Sequence, residues 1–146
     1  MSYTKLLYHI VFSTKERRAF LKGDTLPRVR DYVAGIIHSE GGQVLASDGA
    51  EDHLHLALAL PPAMAIADLV RKAKAGSSKW VHQELAGLKS FAWQDGYAAF
   101  SVSPSVLPQV VRYIQGQGEH HKKVSLTDEL RRLLEKHGIA YEEKYL

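Results

Sequence analysis

The stretch EDHLHLAL, residues 51–58, sets His53 and His55 one residue apart. In an extended strand, successive side chains point to opposite faces. Leu54, Leu56, Leu58 and Leu60 then share one face, and His53, His55, Ala57 and Ala59 share the other. Imidazoles at i and i+2 have Cβ atoms about 7 Å apart, so both can reach one cation. The pair alone carries little weight, because ordinary half-buried histidines also give this pattern, and Ala57 and Ala59 add no ligand. A second group lies in RYIQGQGEHHKK, residues 112–123, where Tyr113 and Gln117 stand four apart and share a helix face. Val110, Val111 and Ile114 form the neighbouring apolar stripe that packs such a helix down. On this helix alone, a half-buried tyrosine beside a solvated glutamine explains the residues as well as a functional pair does. Gly116 and Gly118 flank Gln117. Each costs about 1 kcal/mol inside a helix relative to alanine, which fits either a fraying end or an attachment that must bend.

The elements that position these residues follow from periodicity. YTKLLYHIVFST (3–14) reads as a strand with Leu6, Tyr8, Ile10 and Phe12 on one face, followed by the charged connection KERRAFLKGD. DTLPRVRDYVAGIIHSEGG reads as a helix capped by Asp24 or Thr25, with Pro27 in its first turn and Gly41 at its end. QVLASDGAEDHLHLALAL predicts two strands joined by a turn at Asp48-Gly49. A second helix is expected from about Ala65 to Leu85, a strand over 96–103, and a helix capped by Ser105 that carries Tyr113. SLTD, 125–128, is a capping-box signature, and Leu126, Leu130, Leu133 and Leu134 stripe the last helix, which Gly138 ends. This order predicts an α+β fold: a ferredoxin-like split β-α-β with an antiparallel sheet of four or five strands. Its helices cover one face, the histidine face stays more open, and extra C-terminal helices carry the tyrosine.

At 146 residues, one domain spanning 1–146 is expected. Apolar residues make up 45% and charged residues 24%, which marks a globular rather than a disordered chain. Without cysteine, disulfides, thiolate zinc sites and cysteine nucleophiles are excluded. No apolar run is long enough to span a bilayer and the N-terminus lacks a signal pattern, so a cytoplasmic protein is expected. The net charge of +3 is compatible with a polyanionic partner. There is no phosphate-binding G-x-x-x-x-G-K-[ST] loop and no dinucleotide-binding G-x-G-x-x-G, so no nucleotide cofactor is expected.

Together, DHLHLALALPP, WQDGYAAFSVS, YIQGQGEHHKK and the N-terminal YHIVFSTKERR resemble the single-tyrosine HUH transposases of bacterial insertion sequences, including the REP-associated tyrosine transposases. HUH denotes histidine, hydrophobic residue, histidine, met here by His53, Leu54 and His55. The resemblance covers nearly the whole chain in order. It implies that Tyr113 is the nucleophile and that His53, His55 and Gln117 hold a divalent metal, Mg2+ or Mn2+. It also implies a single-stranded DNA substrate with a hairpin at the element ends, a bacterial or archaeal setting, and a homodimer whose active sites are composite. Glu51, Asp52, Glu119 and His120 rank behind these, and strand alternation points Asp52 away from the site.

The chemistry is coherent with those roles. A tyrosine has a reference pKa near 10, so a neutral phenol needs help to attack a phosphodiester. Attack leaves a 5′-phosphotyrosine and a free 3′-hydroxyl, and rejoining then needs no external energy source. Lys15, Arg17, Arg18, Arg71, Lys72, Lys74, Lys79, Lys122 and Lys123 are candidate DNA contacts, although solvated surface is the common fate of such residues. Trp93, Tyr97 and Phe100 are candidate stacking surfaces. Three other readings stay open: a non-cleaving DNA-binding protein of the same fold, a metal-dependent phosphodiesterase that uses water in place of Tyr113, and a ferredoxin-like interaction domain with no catalysis.

Overall fold

A computed structural model of the chain describes residues 1–120 and 123–146. Its elements, in order, are β1 (Leu7–Ser13), α1 (Thr25–Ser39), β2 (Gln43–Ala50), β3 (His53–Ala59), α2 (Ile66–Glu84), β4 (Ala98–Val102), α3 (Leu107–Gln115), α4 (Gln117–His120) and α5 (Leu126–Lys136). Short 3-10 turns follow β1 and close the chain, at Lys15–Arg17 and Glu143–Tyr145. The sheet has four strands in the order β2-β3-β1-β4, and the three pairings are antiparallel. This is the expected split β-α-β sheet, at the four-stranded end of the anticipated range.

Strand alternation sorts the two faces. Leu54, Leu56 and Leu58 join Ile10 and Phe12 in the main core against Val29, Val33 and Ile37 of α1 and Leu69, Val70, Ala73 and Val81 of α2. Burying each large aliphatic side chain contributes about 1.5–3 kcal/mol, so this face carries most of the stability. One polar pair is built into that layer: Trp93 Nε1 donates to Ser77 Oγ at 2.9 Å.

The second face differs from expectation. It is covered by the chain's own α3 and α4, and His53 and His55 have no solvent exposure. The reason is local volume. Ala57 on β3 and Ala46 on β2 leave a shallow seat, and fully buried Ile114 of α3 fills it, with Val110, Val111 and Leu45 around it. The alanines that cannot ligate a metal therefore admit the tyrosine helix.

Two further boundaries depart from the sequence reading. Asp48-Gly49 lies inside β2, and the hairpin turns at Glu51 and Asp52, pairing Ala50 with His53. The local Asp-Gly preference yields to tertiary bonds on the actual turn: Thr14 N–H donates to Asp52 O and Leu21 N–H to Glu51 O, both at 2.8 Å. The tyrosine helix is also not continuous through Gln117. It ends at Gly116, and Gln117 begins α4. Ser125 caps α5 as its sequence predicts, accepting from Asp128 N–H at 3.2 Å. Gly138 follows that helix with φ of +68°, a conformation that favours glycine.

Gly49 is required for close approach. A Cβ built there would lie 2.1 Å from His53 O. Gly49→Ala is expected to destabilise the fold by roughly 1–3 kcal/mol, because the hairpin beside His53 must shift. Urea denaturation of the variant measures this, and an unchanged midpoint would refute it.

Candidate active site

β3 supplies His53 and His55 because alternation turns both toward α3, and the Glu51–Asp52 turn fixes where that alternation begins. Each imidazole has its Nδ1 held from behind. His53 Nδ1 is 2.7 Å from Asp52 Oδ1, and His55 Nδ1 is 2.8 Å from Nε2 of His9, a buried residue of β1. The His9 and His55 rings stack with centroids 5.1 Å apart. When each Nδ1 carries its proton toward these partners, both Nε2 lone pairs face the same interior point. Such outer partners orient metal-binding histidines. Asp52 escapes the alternation expected of it because it sits in the turn rather than on the strand, and its carboxylate folds back onto His53.

The opposite wall comes from the late helices. Gln117, fully buried, directs Oε1 toward His53 Nε2 at 3.4 Å. Glu129 of α5, 2% exposed, sits at the centre. Its Oε1 lies 2.9 Å from His55 Nε2 and 3.9 Å from His53 Nε2. Its Oε2 accepts from Gln117 Nε2 at 3.1 Å, lies 3.3 Å from His120 Nε2, and accepts from the Tyr113 hydroxyl. Four side chains that sequence reading nominated together, His53, His55, Tyr113 and Gln117, thus converge on one carboxylate that it did not nominate. A signal for Glu129 was present. It falls three residues after Leu126 and four before Leu133, on the apolar stripe of α5, where an acid must be buried with partners.

The donor chemistry suits a divalent cation. Atoms of His53, His55 and Glu129 lie within 4.8 Å of one another. Ligand bonds of about 2.1 Å bring donors about 3–4 Å apart, so side-chain shifts under about 1 Å close the set. Gln117 Oε1 adds a second oxygen. Two imidazoles with a carboxylate and an amide oxygen make a mixed set suited to manganese, and more acceptable to magnesium than histidines alone.

Burial and the neighbouring charge set the protonation states. The Tyr113 phenol is raised well above its usual range, first by burial and then by its hydrogen bond to Glu129 and that residue's charge. A proton shared with an anion in a partly buried site is hard to remove. His9 is pushed down to about 3, mainly by burial and then by His55, so it is neutral at physiological pH.

The candidate DNA-contact cations are spread over the molecule. Arg71 and Lys72 are exposed on α2, across the sheet from Tyr113, and are paired with Asp68 (3.3 Å) and Glu40 (3.1 Å). Lys74 is tied down by the carbonyls of Gln94 and Gly96, and Lys79 is exposed on the same helix. Lys15 and Arg18 are exposed after β1, with Arg18 over the Phe20 ring, and half-buried Arg17 lies within electrostatic reach of Asp52. Lys123 is exposed, and Lys122 lies outside the described residues. Of the aromatic candidates, Trp93 is core, Tyr97 is exposed, and Phe100 is buried.

A ferredoxin-like sheet presenting a buried histidine pair to a tyrosine and a carboxamide defines an HUH-type α+β domain. The family model for the IS200-like transposases matches residues 2–117, and the chain belongs to that family. Among curated relatives, it is 28% identical over 118 residues to the ISDra2 transposase TnpA of Deinococcus radiodurans, covering 77% of this chain and 84% of that protein. It is 27% identical over 120 residues to the transposase of insertion element IS200 from Salmonella typhimurium, covering 79% and 78%. Among solved structures, one described as a transposase of Deinococcus radiodurans R1 superposes with a TM-score of 0.67 at 26% identity, covering 80% of this chain and 94% of that one. A REP-associated tyrosine transposase bound to a REP hairpin shares the fold, with a TM-score of 0.63 at 19% identity over 85% and 73% of the two chains. The protein is accordingly a DNA transposase by family, on a fold shared with solved transposases. The matched segment ends at 117, so Glu129 and all of α5 lie beyond it.

Glu129→Gln is expected to lower the Tyr113 pKa toward the ordinary phenol value, because it removes a negative charge and replaces a carboxylate acceptor. Ultraviolet titration of phenolate absorbance, with Tyr113→Phe as the reference, measures the shift. An unchanged or raised pKa would contradict a contribution from Glu129 beside that of burial.

Proposed function

We propose that the chain cleaves and rejoins single-stranded DNA at insertion-sequence ends through a 5′-phosphotyrosine intermediate. The observation supporting this most directly is that Glu129 is shared by the Tyr113 hydroxyl and the His55 ring. A nucleophile and a candidate metal ligand thereby lie within one carboxylate of each other. Tyr113 Oη attacks the scissile phosphorus, a P–O(tyrosine) bond forms and the P–O3′ bond breaks. The 3′-oxygen leaves and takes up a proton. Glu129 accepts the phenol's proton as the P–O(tyrosine) bond forms, when the phenol's oxygen turns acidic, and that proton is then available to the leaving 3′-oxygen. His53, His55, Gln117 and Glu129 would hold a divalent cation, Mg2+ or Mn2+, and when bound it polarises the phosphate and stabilises the leaving oxygen. The reverse attack by a 3′-hydroxyl on the tyrosyl ester restores the phosphodiester, so no nucleotide cofactor is required.

The REP-associated relative was solved on a REP hairpin. By analogy, a hairpin near the element end is the proposed recognition feature, with cytoplasmic DNA of a bacterium or archaeon as the setting. No helix of the described residues is long and apolar enough to cross a membrane. A homodimer is proposed, in which α3 is exchangeable between subunits because Gly116 separates it from α4.

Labelled single-stranded oligonucleotides carrying the DNA ends that flank the gene, incubated with protein and Mn2+ or Mg2+, should yield a covalent protein–DNA band. Tyr113→Phe should abolish that band and reduce cleavage by at least a thousandfold, since the nucleophile is lost. Cleavage that persists in Tyr113→Phe without an adduct would favour attack by water. Mixing the double variant His53→Ala/His55→Ala with Tyr113→Phe tests sharing between subunits. Composite sites restore cleavage in the heterodimer, and sites built within one chain do not.

A further inference from the structure

A cavity of about 410 Å3 opens beside the Tyr113 phenol, between β4, α3 and α5. It falls in the about 300–1,000 Å3 range of small-ligand sites. Tyr113, Glu129 and His9 border it from the site, while Phe100 of β4 and His137 line another part. The Phe100 and His137 rings are stacked, with centroids 4.4 Å apart and planes 21° from parallel. Arg132 and Lys136, both exposed, stand one helical turn apart on α5 and border the same cavity.

The charges on α5 are not equivalent. Arg131 is neutralised by Asp128 at 2.6 Å and Glu143 at 2.7 Å. Arg132 and Lys136 enter no ion pair among the described residues. Two uncommitted cations therefore flank an aromatic-walled recess that touches the nucleophile. Meanwhile His53, His55 and Gln117 have no surface exposure, whereas Tyr113 and His120 are half-exposed and border the cavity.

We propose that this cavity seats the nucleotide adjoining the scissile phosphate of single-stranded DNA, with its base against the exposed His137 ring, which buried Phe100 backs, and its backbone held by Arg132 and Lys136. This rests on the strand-cleavage reading above and adds where the cut strand lies. Aromatic platforms and cationic rims are the general means of holding single strands without reading sequence. Phe100 lies within the matched residues 2–117, whereas His137, Arg132 and Lys136 lie beyond them, so the family match does not supply that side of the cavity.

The test uses Tyr113→Phe protein, so that binding is read without cleavage. Fluorescence anisotropy with a fluorescein-labelled single-stranded oligothymidine is recorded across a sodium chloride series. Adding Arg132→Gln and Lys136→Gln should weaken binding and make the slope of log K against log salt shallower by about 1.4, since each phosphate no longer neutralised removes about 0.7. Arg131→Gln should leave the slope unchanged. An unchanged slope in the double variant, with its thermal unfolding also unchanged, overturns the backbone grip. A second arm uses wild-type Tyr113 and the element-end oligonucleotide, with an abasic site placed on either side of the scissile phosphate. His137→Ala should slow adduct formation about 5- to 100-fold on normal DNA. It should have no further effect where the abasic nucleotide already leaves the cavity empty. An equal loss on all three substrates overturns the base seat. Absence of any wild-type adduct would sink strand cleavage itself, and the salt slope would still decide whether α5 grips DNA.

Discussion

The arrangement depends on a close approach between one helix and the middle of a sheet. Ala57 on β3 and Ala46 on β2 are the small residues that let Ile114 sink onto the strands. With larger side chains there, α3 would ride higher and the Tyr113 ring, whose centroid is 5.9 Å from that of His55, would lift away with it. The same strand gives a leucine face to the main core and a histidine–alanine face to this seat. β3 is thereby buried on both sides, an unusual environment for imidazoles, and burial obliges every polar atom there to find a partner.

That obligation explains the density of the network. Glu129 is an acid with almost no exposure, and a carboxylate so placed is tolerated only when donors surround it. Tyr113 and Gln117 donate to it, and His55 and His120 stand within reach. Behind the histidines, Asp52 and His9 hold the far nitrogens. The result is a set of lone pairs aimed inward, with the phenol at its edge held firmly protonated by the anion it touches. A cation entering among those lone pairs would compete for the same carboxylate, and so would loosen the hydrogen bond that keeps the phenol's proton in place.

Much of this was legible in the chain because it obeys short-range rules. Alternation placed His53 and His55 on one face and Leu54 and Leu56 on the other, and the apolar stripe of Val110, Val111 and Ile114 marked the side on which the tyrosine helix packs down. What escaped was non-local. Whether the histidine face is open depends on Ala46 and Ala57, residues on different strands that meet only after pairing. The hairpin turn moved from Asp48-Gly49 to Glu51–Asp52 because Thr14 and Leu21, far away in sequence, bond its carbonyls. Asp52 then followed turn geometry rather than strand alternation. Glu129 lay hidden in a helix that read as an ordinary amphipathic element, since a single acid on an apolar stripe declares its burial but not its partners.

The two faces of the sheet also differ in how firmly they hold their helices. α1 and α2 bury eight side chains between them, Val29, Val33 and Ile37 from the first and Leu69, Val70, Ala73, Ser77 and Val81 from the second. α3 buries Ile114 alone, and Gly116 breaks its continuation. Elements that bury few side chains open at lower free energy than the core that carries them. The histidines, fixed on a central strand and braced by Asp52 and His9, form the rigid half of the site, and the tyrosine rides on the weakly seated half. In the proposed reaction Tyr113 would become attached to one DNA end and then present that end to another strand, which suits a side chain on the half that can let go.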